Sequence, residues 1–178
     1  MELSVLLEER RSIREYAADV KLCKEDLEKM IYAAQQAPSW KNSQTGRYYA
    51  AISREGVESV RNALPEFNAV RTKNASAYIV CTFKTKISGH SSDATPTDSN
   101  GDAWGAYDLG LQNENLLLKA RELGYDTLIM GLRDDKALAE LFAIPEDEAI
   151  MAVIAVGKRV ADPSKPQRKA IEDILKII

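Results

Sequence analysis

IMAVIAV, residues 150–156, is an unbroken apolar run of seven, with charged residues close on either side. A run this short and rich in branched side chains reads as a strand buried on both faces. Working outward, AYIVCTF (77–83) gives a second strand, YYAAIS (48–53) a third, and Thr127 to Met130 a fourth that enters Gly131. Between them the period changes. Leu3, Leu6 and Leu7 set a short amphipathic helix, Leu27, Met30, Ile31 and Ala34 a second that Pro38 closes, and Val57, Val60 and Leu64 a third that Pro65 stops. Ala103 to Leu123 predicts a long helix, with Trp104, Tyr107, Leu111 and Leu118 on one face and Leu109, Leu116, Leu117 and Leu123 elsewhere round it. A helix apolar on most sides is buried, and Gly124 is placed to close it in the left-handed conformation. Another helix runs from Asp134 through Phe142.

Helices outnumber strands and do not alternate with them regularly, so the class is α+β rather than a doubly wound parallel sheet. The chain of 178 residues suits a single domain, 1–178. Residues 85–102, TKISGHSSDATPTDSNGD, are polar and aperiodic and predict a long mobile loop with the position of a lid. VADPSKPQ is a linker into a C-terminal extension, 160–178, where Ile171, Ile174, Leu175 and Ile178 repeat at helical spacing. Such a stripe beyond a proline-containing linker suits docking on another surface, a second subunit being one candidate.

Composition narrows the function. Apolar residues make up 45% and charged residues 29%, the balance of a globular chain, and a formal charge of −3 argues against a nucleic-acid surface. The N-terminus lacks the pattern of a secretory signal and no apolar stretch approaches a membrane span, so the expected location is the cytoplasm, with no membrane or nucleic-acid partner. Cys23 and Cys81 are far apart and form neither a disulfide framework nor a CxxC site. A single histidine, His90, expected at the surface of its loop, leaves nothing from which to assemble a nucleophilic triad. Asp98, Asn100 and Asp102 have the alternation of a calcium loop, but Gly101 is misplaced and the distal glutamate is missing, so no metal site is assigned.

RRSIREY, residues 10–16, stands out in this acidic chain. Arg10, Arg11 and Arg14 around Ser12 are either a solvated face paired with Glu8, Glu9 and Glu15, or a set of directed donors for a phosphate monoester. Three further segments could join it. Lys165, Arg168 and Lys169 form a second basic group; APSWKNSQ, residues 37–44, offers neutral hydrogen-bonding side chains; and LIMGLRDD brings a glycine just past a strand, where backbone can approach a flat ligand.

The ordered set RRSIREY, APSWKNSQ, GYDTLIMG and PSKPQRK resembles the FMN-dependent nitroreductase family, in one of its compact forms, over nearly the whole chain. The resemblance implies a three-layer sandwich, with a central, mostly antiparallel sheet flanked by helices, that forms an obligate homodimer with FMN at the interface. It implies that Arg10, Arg11 and Ser12 hold the flavin phosphate and ribityl chain, and that Arg14 lies near the pyrimidine edge, where it favours the reduced anion. Pro38, Ser39, Asn42 and Gln44 match the segment given by the partner subunit, Met130, Gly131 and Leu132 the backbone beside N5, and Arg168 with Lys169 the C-terminal phosphate contacts. The implied activity is NAD(P)H-dependent reduction of nitroaromatic, quinone or related acceptors by ping-pong hydride transfer, with no side-chain nucleophile. Dehalogenation or flavin fragmentation on the same fold, and a non-catalytic module for phosphorylated metabolites, are the alternatives. Gln44 is followed by Thr45 and Gly46, where many relatives have proline and an aromatic residue. Phe67, His90 and Trp104 are candidate lid contacts, with a core position favoured for Trp104.

Overall fold

The computed structural model describes residues 2–178. Four strands, β1 (Gly46–Ala51), β2 (Ala77–Lys84), β3 (Asp126–Met130) and β4 (Glu148–Gly157), form one sheet in the order β1-β2-β4-β3, every neighbouring pair antiparallel. The strand read from IMAVIAV is therefore a central one, paired with β2 on one side and β3 on the other, and Val153 to Val156 are fully buried.

The period of two along β2 divides the core. Tyr78 and Val80 face one layer with Val60, Leu138 and Val153; Ala77, Ile79, Cys81 and Phe83 face the other with Met30, Leu109 and Leu116. The first layer is covered by α3 (Arg54–Asn62) and α6 (Asp135–Phe142), the second by α2 (Lys24–Gln35) and α5 (Ala103–Glu122). This is the three-layer α+β sandwich expected. Ser53 and Asp134 cap α3 and α6 by accepting from Gly56 N and Ala137 N. Gly124, at φ +83, ends α5 as anticipated.

Several expectations need correction. Of the three leucines in α1 (Leu3–Glu9), only Leu6 is buried, while Leu3 and Leu7 are exposed. Pro65 does more than stop α3, because it also opens α4 (Glu66–Arg71), where its fixed φ suits a helix start. The face of α5 that the sheet takes is Leu109, Gln112, Leu116 and Ala120, so Tyr107 stands 60% exposed. Trp104 is half-buried, edge-on to Tyr107 with its indole N–H on Asp98 at 2.9 Å, rather than in the core. In the terminal segment only Ile171–Asp173 turns, as one 3-10 turn, and Ile171, Ile174 and Leu175 are exposed.

Residues 85–102 contain neither helix nor strand, yet they are tied down. Thr97 donates to Gly89 O from both its N–H and its hydroxyl, and Lys86 N–H donates to Asp102 at 2.5 Å. His90, expected at the surface, is only 7% exposed, with Nδ1 3.0 Å from Ser88 O. Among the described residues no helix is long and apolar enough to cross a membrane.

Close packing of α5 on the sheet needs Gly105. A Cβ there would lie 2.3 Å from the Phe83 ring, whose residue is buried. Gly105→Ala is expected to lower stability by about 1–3 kcal/mol, the usual cost of overpacking a core, despite alanine's better helix propensity. Urea unfolding of the two proteins checks it, and an unchanged midpoint would show that the ring can move aside.

Candidate functional site

After α1, the chain leaves the helix at Arg10, whose backbone is extended, and runs beside the end of the sheet. Ser12 bridges Thr127 in parallel, Ile13 N–H donates to Thr127 O at 3.0 Å, and Ala17 N–H donates to Lys158 O at 2.8 Å. Ile13 and Tyr16 point into the core at 3% and 2% exposure. Ser12 and Arg14, on either side of Ile13, face out, with Arg11 half-buried.

The C-terminal segment is brought to the same place by a buried carboxylate. Asp126, at the start of β3, accepts from Arg159 N at 3.0 Å and Nε at 2.8 Å, while Arg121 of α5 approaches it at 3.4 Å. Its side chain is 2% exposed. Arg121 in turn holds Glu9 at 2.8 Å, and Arg159 reaches Glu9 O at 3.3 Å, so α1, α5, β3 and the end of β4 meet on one ionic cluster. The hydrogen bond to Asp126 is the main cause that raises the Arg159 pKa, against a smaller effect of burial.

Beyond this cluster, Pro163, Ser164, Pro166 and Arg168 face Arg10, Arg11, Ser12 and Arg14 across a cleft of about 130 Å³. Two of the three acids that a solvated-face reading would assign to the arginines are engaged elsewhere. Glu9 pairs with Arg121, and Glu8 with Lys165. Glu8 is held below the usual carboxylate range first by its bond to Lys165, and also by the charges of Arg11 and Arg168. Arg10 pairs with Glu114 at 3.6 Å, but Arg11, Arg14 and Arg168 have no carboxylate partner among the described residues. Each donates only to a nearby main-chain oxygen, Arg11 to Arg10 O, Arg14 to Ser12 O and Arg168 to Pro166 O, and Arg11 Nε is buried without a partner. Three guanidinium groups around one concavity, with an orphaned donor among them, have the chemistry of an anion cradle.

The other candidate residues lie apart from this cleft. Lys169 is exposed and does not line it. Gln44 lines a separate cleft of about 410 Å³ with Gln35, Arg47, Tyr48 and Gln112. Pro38, Ser39 and Asn42 precede it on the turn around Trp40–Asn42. Met130 is buried and ends β3, while Gly131 and Leu132 are exposed. Arg133 donates to Gly131 O at 2.5 Å and to Met151 O at 2.9 Å, which fixes the turn after β3. Of the lid candidates, Phe67 is 46% exposed under Arg71. Sequence reasoning missed Glu9, Arg121, Asp126 and Arg159, although an aspartate opening an apolar strand is a visible signal.

A three-layer sandwich with this cleft at the sheet's end defines a class. The nitroreductase family profile matches residues 7–158, and the chain belongs to that family. An Archaeoglobus fulgidus protein with the provisional name NADH dehydrogenase/NAD(P)H nitroreductase is 34% identical over 152 residues, covering 83% of this chain and 80% of its own. The CLA biosynthesis enone reductase of Lactiplantibacillus plantarum is 26% identical over 192 residues, covering 91% and 88%. A provisionally assigned nitroreductase from Exiguobacterium sibiricum, crystallised in complex with FMN, superposes with a TM-score of 0.87 at 25% identity, over 100% of this chain and 98% of that one.

Removing one partner from a buried ion pair costs about 3–5 kcal/mol. Asp126→Ala is expected to lose stability of that order, measured by urea unfolding, and to release residues 160–168 to limited proteolysis. A loss below about 1 kcal/mol would show that Arg121 and Arg159 find solvent at no cost.

Proposed function

We propose that the chain is an FMN-dependent NAD(P)H oxidoreductase that reduces nitroaromatic, quinone or related small acceptors, acting as a homodimer in the cytoplasm. The observation that carries this reading is the cradle of Arg11 and Arg168, with Arg14 lining the same cleft, none of them in an ion pair with a carboxylate among the described residues while Glu8 and Glu9 pair with Lys165 and Arg121. The donor set fits a phosphate dianion. Family membership and the FMN carried by the Exiguobacterium sibiricum neighbour support the identity of that anion.

In this reading Arg10, Arg11, Ser12 and Arg168 hold the phosphate and ribityl chain, Lys169 drops out because it does not line the cleft, and Arg14 stands at the pyrimidine edge. Pro38, Ser39, Asn42 and Gln44 come from the second copy, and Met130, Gly131 and Leu132 supply backbone beside the ring. A volume of about 130 Å³ holds one end of a ligand, since whole small-molecule pockets run from about 300 Å³ upward. That shortfall supports a site completed by a partner subunit. The exposed side chains of Ile171, Ile174 and Leu175, just beyond the cleft, support the same conclusion.

Bound in this cleft, FMN would supply hydride-transfer chemistry between a nicotinamide and an acceptor in a ping-pong cycle. The chain's own part is to bind and orient. Arg14 would offer positive charge where negative charge develops on reduction, and Arg11 with Arg168 would secure the phosphate. The turn pinned by Arg133 presents main chain rather than a mobile side chain. The provisional nitroreductase and the enone reductase among the relatives support a small electrophilic acceptor.

Purified protein is expected to be yellow and to bleach anaerobically with NADH or NADPH; colourless protein that neither binds added FMN nor oxidises either nucleotide would end this reading. Arg10→Ala combined with Arg11→Ala is expected to weaken FMN binding by about 100-fold or more, from the loss of charge-assisted hydrogen bonds at about 1.5–3 kcal/mol each. Gel filtration should find the assembly intact. Deleting residues 167–178 is expected to reduce both flavin content and dimer, and unchanged values for both would remove the extension from the site.

A further inference from the structure

Asp108 lies in the first half of α5, 2% exposed, and no cation pairs with it among the described residues. Its two oxygens accept the Trp40 N–H at 3.1 and 3.0 Å, and Oδ2 also accepts the Ser88 hydroxyl at 2.7 Å. Ser88, itself 1% exposed, is 2.7 Å from the Ser43 hydroxyl and 3.4 Å from that of Thr45. One buried carboxylate and one buried hydroxyl thus join α5, the turn at 40–45 and the loop at 88–90.

The turn they hold does not hold itself. Lys41, Asn42 and Gln44 have φ of +47, +55 and +50, a region that costs residues other than glycine about 1–2 kcal/mol each. Ser39 Oγ accepts Gln44 N–H at 3.0 Å and closes the turn. One helical turn after Asp108, Gln112 Oε1 occupies the place of a Cβ on Gly46, 1.9 Å from where that atom would be. The segment is therefore clamped on one face of α5 at both ends. The result faces outward: Asn42 and Gln44 are exposed, and neither side-chain amide has a hydrogen-bond partner among the described residues. A buried carboxylate costs several kcal/mol to desolvate, more than an apolar helix contact needs.

We infer that Asp108, with Ser88, is a positioning residue that sets the strained turn at 39–44 so that the Asn42 and Gln44 amides meet the non-phosphate part of the flavin. The inference rests on the flavin reading above. It separates two tasks: the arginines grip the anion, and this hub aims neutral amides at the rest of the ligand.

FMN and riboflavin are the probes, with binding read by quenching of flavin fluorescence and by the visible circular dichroism of the bound flavin. Asp108→Ala is expected to weaken both ligands by the same factor, at least tenfold, leaving their affinity ratio as in wild type and altering the dichroism at saturation. Ser88→Ala, which leaves the carboxylate and its bond to Trp40, should weaken both two- to fivefold and alter the dichroism likewise. Arg11→Ala is the control, lowering the affinity for FMN far more than that for riboflavin. Wild-type affinities and dichroism in folded Ser88→Ala overturn the inference even if Asp108→Ala does not fold. So does a loss confined to FMN, which places the hub's effect at the phosphate. A wild-type protein that binds neither flavin overturns the flavin reading itself.

Discussion

The Asp126 carboxylate, enclosed by Arg121 and Arg159, is the constraint on which the cleft depends. Ion pairs at a surface contribute little, but this one joins four elements at 2% side-chain exposure for the acid and 13% for Arg159. It fixes where β4 releases the chain and, through Glu9, where α1 ends. Two basic stretches far apart in sequence then face each other across the cleft. The charges inside the cluster are paired with one another, whereas Arg11, Arg14 and Arg168 form no ion pair with a carboxylate among the described residues, and the proposed site rests on this contrast.

A second buried carboxylate, Asp108, has the opposite character. Its partners are a main-chain N–H and a hydroxyl instead of guanidinium groups, and it secures a turn instead of a strand end. Both acids engage α5, which helps cover one face of the sheet: Asp108 lies in its first half, and Asp126, just beyond its end, pairs with Arg121 in its last turn. The 20-residue length of α5 lets one rigid element carry Asp108, Glu114 and Arg121, so the two clefts keep a fixed relation to the sheet.

Most of the fold was legible because its signals are local. The unbroken run in β4 and the alternation in β2 determine their layers, and Gly124 and Asp134 mark helix ends by backbone needs that hold anywhere. The error in α5 has a physical origin. Its buried face includes Asp108, Gln112 and Asn113, so counting apolar residues selected the wrong side. His90 was misplaced for a similar reason, since its burial depends on Ser88 and on contacts across the loop that no local pattern records. In the cradle, Arg10, Arg11, Ser12, Arg14 and Arg168 were visible as a motif and do line one cleft, while Lys169 does not. What the sequence withheld was the distribution of acids: proximity along the chain suggested that Glu8 and Glu9 would neutralise the arginines, and only tertiary structure sends them to Lys165 and Arg121.

The cleft is assembled from residues 10–14 and 163–168, with almost the entire domain between them. Closing so long a loop is slow, because its entropy must be lost before the contacts that reward it can form. On the proposed reading, anion capture is therefore a late event in the life of a nascent chain. A chain interrupted before Pro163 has no opposing wall, so a phosphate retained there would certify that synthesis ran past β4 and that the segment 163–168 docked against residues 10–14.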